Sequence, residues 1–197
     1  MEVKTSLVRL IGSLIVGVVF NNLISAQTFN HIENIAGLGI LEENNGASVA
    51  DYDQDNDLDI FVVAKRIDEA GVEKSQSRLF RNNNDGSFSD VTEQSGILGT
   101  ITEEETILNA ALAGVKYGAS WGDFNNDGFP DIVLTYSLKV QLFMNMKDGT
   151  FEDVTLTAGI QATNTCINPS STWFDYNNDG YLDLHITSWG PCEDARL

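Results

Sequence analysis

Three short stretches of this chain concentrate oxygen-bearing side chains at one fixed spacing: DYDQDNDLD from Asp51, DFNNDGFPD from Asp123 and DYNNDGYLD from Asp175. Position one is Asp51, Asp123 and Asp175, and position three is Asp53, Asn125 and Asn177. Position five is Asp55, Asp127 and Asp179; position nine is Asp59, Asp131 and Asp183. Side-chain oxygens at one, three and five, a backbone carbonyl at seven and a further oxygen at nine are how a calcium loop wraps a hard cation. The carbonyls at seven belong to Asp57, Phe129 and Tyr181. Carboxylates and amides, with no His or Cys among them, select Ca2+ over zinc or copper. The expectation is one Ca2+ in each acidic loop.

The sixth position of such a loop needs a sharp turn. It is Gly128 and Gly180 in two loops and Asn56 in the first, a residue that tolerates left-handed backbone angles. The pattern is not an EF-hand, because position twelve is Val62, Leu134 or Ile186 where that motif demands a bidentate Glu. The competing reading is an ordinary Asp/Asn-rich turn. Three copies in phase with the flanking apolar runs favour ligands, with the ions acting as structural staples.

Elements on either side must hold these loops. DIFVVA (residues 59–64) and DIVLTY (131–136) are β-branched and of strand length. A small-residue run precedes each loop: GASVAD, GASWGD and the weaker SSTWFD. LFRNNNDGSFSDVTEQSGI (79–97) matches LFMNMKDGTFEDVTLTAGI (142–160), and FNHIENIAGL (29–38) is a partial copy. Asp85-Gly86 and Asp148-Gly149 are expected to supply the positive φ angles of a tight hairpin turn. The unit is thus four short antiparallel strands, which cannot bury its faces alone and must stack on neighbours.

The fold class is therefore all-β: four-stranded blades of a β-propeller, incomplete, with a short inserted helix. The repeats span residues 46–97, 118–160 and 170–197, the last incomplete, or about two and a half blades where propellers have about 4–8. That count predicts the front part of a longer propeller, in which the strand at 29–34 completes a blade. Two insertions spread the repeats: a polar loop at 65–77, and 98–117, where Thr102 and Glu105 form a capping box before Ile107, Leu108, Ala111 and Leu112.

Bulk properties agree with ligands over nucleic-acid binding. Against 29 Asp plus Glu stand 11 Lys plus Arg, a formal charge of −18 that repels phosphate backbones. Hydrophobic residues make up 42% of the 197, enough for a core. Residues 1–26 read as a signal peptide: a basic start, a short apolar run from Leu10 to Phe20, and small residues at Ser25 and Ala26. The domain would then be 27–197, secreted, with no membrane span once the leader is cleaved. Cys166 and Cys192 both lie in the third repeat, where a Cys166–Cys192 disulfide would close its loop; free thiols, or pairing with other sequence, are the alternatives.

No catalytic constellation is legible. The two histidines, His31 and His185, lie in strand-like sequence, and no nucleophile elbow, zinc-protease helix motif or phosphate-cradling loop occurs. Trp121, Trp173 and Trp189 read as blade packing in preference to sugar-stacking platforms, with exposure of Trp189, near Cys192, the alternative.

The residues that recur, G-A-S-W-x-D-x-N-x-D-G-x-x-D-I-x-L followed by L-F-x-N-x-x-D-G-T-F-x-D-V-T-x-x-A-G-I, resemble the FG-GAP/VCBS repeats of integrin-alpha-like propellers. Among these they look most like the secreted cartilage acidic protein and ASPIC/UnbV group. The resemblance spans roughly residues 28–197. It implies a seven-bladed or similar propeller with a calcium ion per loop, used for extracellular binding or adhesion to protein or glycan partners. Departures are Asn56 for Gly and Ser170-Ser171-Thr172 for Gly-Ala-Ser. An alternative is the N-terminal part of a propeller enzyme, a polysaccharide lyase or phosphodiesterase-like protein, with its catalytic residues outside this chain. A pure scaffold in a larger surface protein is a third.

Overall fold

A computed structural model describes residues 38, 44–64, 77–97, 115–160 and 163–190. The leader, the strand expected at 29–34, the insertion helix and Cys192 lie outside the described residues.

The elements run β1 (Asn44–Ala50), β2 (Asp59–Ala64), β3 (Arg78–Asn82), β4 (Phe88–Asp90), α1 (Thr92–Ser95), β5 (Lys116–Gly122), β6 (Asp131–Asn145), β7 (Phe151–Asp153), β8 (Thr163–Phe174) and β9 (Asp183–Trp189). The chain is all-β, in two antiparallel sheets: β1-β2-β3-β4, and β5-β6-β8-β9 with β7 on β6. The acidic loops are the β1–β2, β5–β6 and β8–β9 corners. Their registers coincide: Ala50 pairs with Asp59, Gly122 with Asp131 and Phe174 with Asp183. The ninth-position Asp therefore opens a strand in every copy, as its sequence position requires.

The second repeat has the expected four strands, although β6 reads as one strand of 15 residues. A straight strand of that length would separate its ends by about 46 Å. Instead the Asn145 amide donates to Asp131 Oδ1 at 2.8 Å, so β6 doubles back on itself. The reversal is at Leu138, whose φ is 71°, next to a register shift between Ser137 and Lys139. Buried Asn168 ties β8 to this tip, donating to the carbonyls of Tyr136 (3.0 Å) and Lys139 (3.2 Å).

Strand alternation sends neighbouring side chains to opposite faces, and each face packs on an adjacent repeat. Tyr52, Phe61 and Val63 of the first repeat meet Ile132, Leu134 and Trp121 of the second. On the other side Phe124 and Val133 of the second meet Trp173, Leu184 and Ile186 of the third. Trp121 and Trp173 are thus packing residues, whereas Trp189 is 70% exposed. Gly122 is required by this contact: a Cβ there would lie 2.7 Å from the Trp173 ring.

One turn differs from the sequence expectation. In the hairpins after β3 and β6 the left-handed residues are Asn84 with Gly86 and Lys147 with Gly149, not Asp85 or Asp148. The aspartates act through their side chains, Asp85 Oδ1 accepting from the Ser87 amide at 2.9 Å and Asp148 Oδ1 from the Thr150 amide at 3.0 Å. The helix α1 was not legible; the sequence DVTEQSG supplies a single helical turn ended by Gly96 at φ 71°. Among the described residues no helix is long and apolar enough to cross a membrane.

Candidate metal centre

Each corner is shaped by its own carboxylates. In the second loop Asp123 accepts from the amides of Asp127 (2.9 Å) and Gly128 (2.8 Å), and Asn125 Oδ1 also accepts from Asp127 (2.9 Å). The third loop repeats this: Asp175 accepts from Asp179 (3.1 Å) and Gly180 (2.9 Å), and Asn177 from Asp179 (2.9 Å). The fifth-position carboxylates then receive the seventh-position amides, Phe129 to Asp127 at 3.0 Å and Tyr181 to Asp179 at 2.9 Å. Gly128 and Gly180 have φ of 93° and 88°, and Asn56 stands in for them at 72°.

The first loop keeps the sixth-position bond, the Asn56 amide donating to Asp51 at 3.1 Å, but its carboxylates are also gathered together. Asp51, Asp53 and Asp59 each place a carboxylate oxygen within 4.8 Å of the others. Asp51 Oδ1, Asp53 Oδ1 and Asp57 Oδ1 are buried atoms without a hydrogen-bond partner. Anionic oxygens withdrawn from water and left without donors are costly, and a hard divalent cation coordinated by oxygen removes that cost. The residues present therefore fit Ca2+. Burial, and then the charge of Asp55, push the carboxyls of Asp53 and Asp57 above their ordinary range. Asp55 itself is exposed and receives the Asp57 amide at 3.2 Å, so its carboxylate stands outside the gathered trio.

The ninth-position Asp has a second job that sequence reading missed. Asp59 accepts from the Tyr52 amide (3.2 Å) and the Asn82 amide (2.8 Å). Asp131 accepts equivalently from Phe124 (3.1 Å) and Asn145 (2.8 Å), and Asp183 from Tyr176 (2.7 Å). Through Asn82 and Asn145, Asp59 and Asp131 join the corner to the third strand. Burial raises Asp59 and Asp131 to about 6, against the lowering effect of those amides. The partner is the Asn of L-F-x-N. Asn82 donates to the Leu58 carbonyl (3.2 Å), and buried Asn145 to those of Pro130 (3.1 Å) and Tyr52 (2.8 Å). The recurrence of this Asn three residues before each Asp-Gly was the available signal.

Two further groups act on the corners. Lys147 Nζ lies 3.3 Å from Asp127 Oδ2 and over the Phe129 ring. Burial works to raise Asp127, yet the Phe129 amide and this ammonium together hold it below the ordinary range. The fourth-position residues, Gln54 at φ 60° and Asn126 at 55°, reach across repeats. Gln54 Nε2 donates to the Gly128 carbonyl, and Asn126 Nδ2 to that of Gly180 at 2.7 Å.

The corner, its staple and the strand after it recur as one unit, and the interval from Asp123 to Ile186 spans two such corners. Residues 123–186 match the FG-GAP-like repeat family. The matched FG-GAP-like repeat begins at the first ligand position of the second loop and ends within β9. It therefore contains the second and third acidic loops, the folded-back β6 and the Asn145 staple. No curated protein matches the chain.

Proposed function

We propose that this chain is a secreted, calcium-stabilised β-propeller module that binds extracellular protein or glycan and carries no catalysis of its own. Within the FG-GAP-like repeats we place it with the cartilage acidic protein and ASPIC/UnbV group, on its L-F-x-N-x-x-D-G-x-F-x-D-V-T segments. The observation that carries the calcium reading is the set of unpartnered oxygens in the first loop, with Asp51, Asp53 and Asp59 converging on one point. Bound there, Ca2+ would offset part of the corner's negative charge and lock β1 to β2. Asp123, Asn125, Asp127 and Asp131, and Asp175, Asn177, Asp179 and Asp183, are the corresponding holders in the other two loops, with the carbonyls of Asp57, Phe129 and Tyr181. A Cys166–Cys192 bridge fits an oxidising compartment.

Calorimetric titration with Ca2+ and thermal melts with and without EGTA test this. A ligand that binds only the native state adds RT ln(1 + [L]/Kd), about 2.7 kcal/mol at a hundredfold excess over Kd. The expected result is a Tm lowered by EGTA and restored by Ca2+, with Asp53→Ala losing one site from the stoichiometry. No binding heat, together with a Tm indifferent to chelation, would overturn the reading.

A further inference from the structure

Successive corners are joined by one recurring bond, and it lands on the peptide that orients a ligand. Asn126 Nδ2 donates to the Gly180 carbonyl at 2.7 Å. The same peptide unit carries the Tyr181 amide, which donates to Asp179 Oδ1 at 2.9 Å. One repeat earlier, Gln54 Nε2 donates to the Gly128 carbonyl, and the Phe129 amide of that peptide donates to Asp127 Oδ1 at 3.0 Å. Each acceptor peptide thus has its oxygen held by the preceding loop and its N–H held by the fifth-position carboxylate of its own loop. Hydrogen bonds in such a chain polarise and strengthen one another. Groups that orient a ligand from behind in this way act on metal affinity through that ligand.

The donor side is equally tied to its own loop. Asn126 sits between Asn125 and Asp127, two of the second loop's holders, and Gln54 follows Asp53 of the gathered trio. Both have left-handed backbone, φ 60° at Gln54 and 55° at Asn126, which a residue with a side chain adopts at a cost. A turn held on either side of that residue keeps its amide aimed at the next loop. A cation that gathers the flanking ligands supplies the hold. Without it, repulsion among the carboxylates works against the same geometry.

We propose that Gln54 and Asn126 are positioning residues that couple the loops, so that Ca2+ held in one corner raises the affinity of the next. The coupling rests on the calcium reading of these same loops. By reciprocity the third loop, once filled, tightens the second by the same factor as the second tightens the third. Charge alone gives the opposite sign, since two bound cations repel each other and salt screens that repulsion. Coupled corners fill over a narrow span of Ca2+ concentration and stiffen adjoining repeats together.

Heteronuclear NMR of the isotope-labelled chain, titrated with Ca2+ from EGTA buffer, tests this loop by loop. The amides of Asn56, Gly128 and Gly180 each donate to the first Asp of their own loop and report its occupancy. Asp127→Asn keeps an oxygen for the Phe129 amide but removes a ligand charge, and should raise the Ca2+ midpoint read at Gly180 about fivefold. Asn126→Gly retains the left-handed turn, loses the donor and should raise that midpoint by a similar factor. With Asn126→Gly already present, Asp127→Asn should leave it unchanged. Asn126→Gln restores a donor of the kind the first loop uses and should restore the low midpoint. Should Asp127→Asn misfold, Asp53→Ala must raise the midpoint read at Gly128 instead. A Gly180 midpoint unmoved or lowered by Asp127→Asn, or raised equally with and without the Asn126 side chain, overturns the coupling while calcium binding stands. Amides that ignore Ca2+ in all three loops overturn the calcium reading and the coupling with it.

Discussion

The corner aspartates serve two ends that pull their protonation in opposite directions. Asp59 and Asp131 are raised to about 6 by burial, while in the unfolded chain they titrate near the ordinary value of about 3.9. Between those values the native state binds more protons than the unfolded one, so stability rises as pH falls. In EGTA, therefore, Tm should climb by a few degrees from pH 7 to pH 4.5. In saturating Ca2+ the slope should reverse, since protons compete with the cation for the same oxygens. Melts across that pH range in the two buffers check both signs; a falling Tm in EGTA would count against carboxylates raised by burial. Lys147 adds a local asymmetry, because its ammonium pairs with Asp127, whereas Asn84 stands at that place in the first repeat.

At the scale of the element, the third strand holds the corner as firmly as the corner's own turn does. Asn145 bonds the carbonyls of Tyr52 and Pro130 through its side chain, and its Oδ1 accepts from the Lys147 amide at 2.9 Å. Asn145→Ala leaves these buried groups unpaired and should cost about 2–3 kcal/mol in urea unfolding. Asn82→Ala, at a more exposed site without the bond into a neighbouring repeat, should cost less. The same economy appears at Thr92 and Thr155, which accept the Leu79 and Leu142 amides at 2.9 Å. Recurrence made these segments visible in the sequence as a repeated pattern. Their roles were not visible, because a side chain's partner depends on which strand lies beside it, and Asn145 bonds a carbonyl 93 residues away. The acidic corners were legible for the opposite reason: the bonds that shape each turn, such as Gly128 to Asp123 and Phe129 to Asp127, are local and set by spacing within nine residues. The convergence of Asp51, Asp53 and Asp59 without Asp55 was not, since it follows from the depth of each side chain beneath the loop.

For the whole molecule the dominant quantity is a formal charge of −18. Self-repulsion on that scale opposes the compact state and is screened within about 10 Å at 0.1 M salt. Adding NaCl should thus raise Tm in EGTA, and raise it less in Ca2+, where bound cations already offset part of the charge; equal gains in the two buffers would separate the surface charge from the corners. The all-β architecture was legible because β-branched runs of strand length and Asp-Gly turns recur along the chain, and because the 79–97 segment returns at 142–160. The reversal inside β6 is the connection that the four-strand unit required, although SLK at its tip has no Gly, Pro or Asn to mark the residue at which it falls.

That reversal bears on how the molecule comes together. The middle repeat joins its two central strands through a tip at Leu138, whereas the first repeat must bridge residues 65–76 to pair β2 with β3. A shorter span loses less chain entropy on closing. Assembly should begin in the middle and spread to both flanks, with amides of β6 the earliest to become protected in pulsed hydrogen exchange.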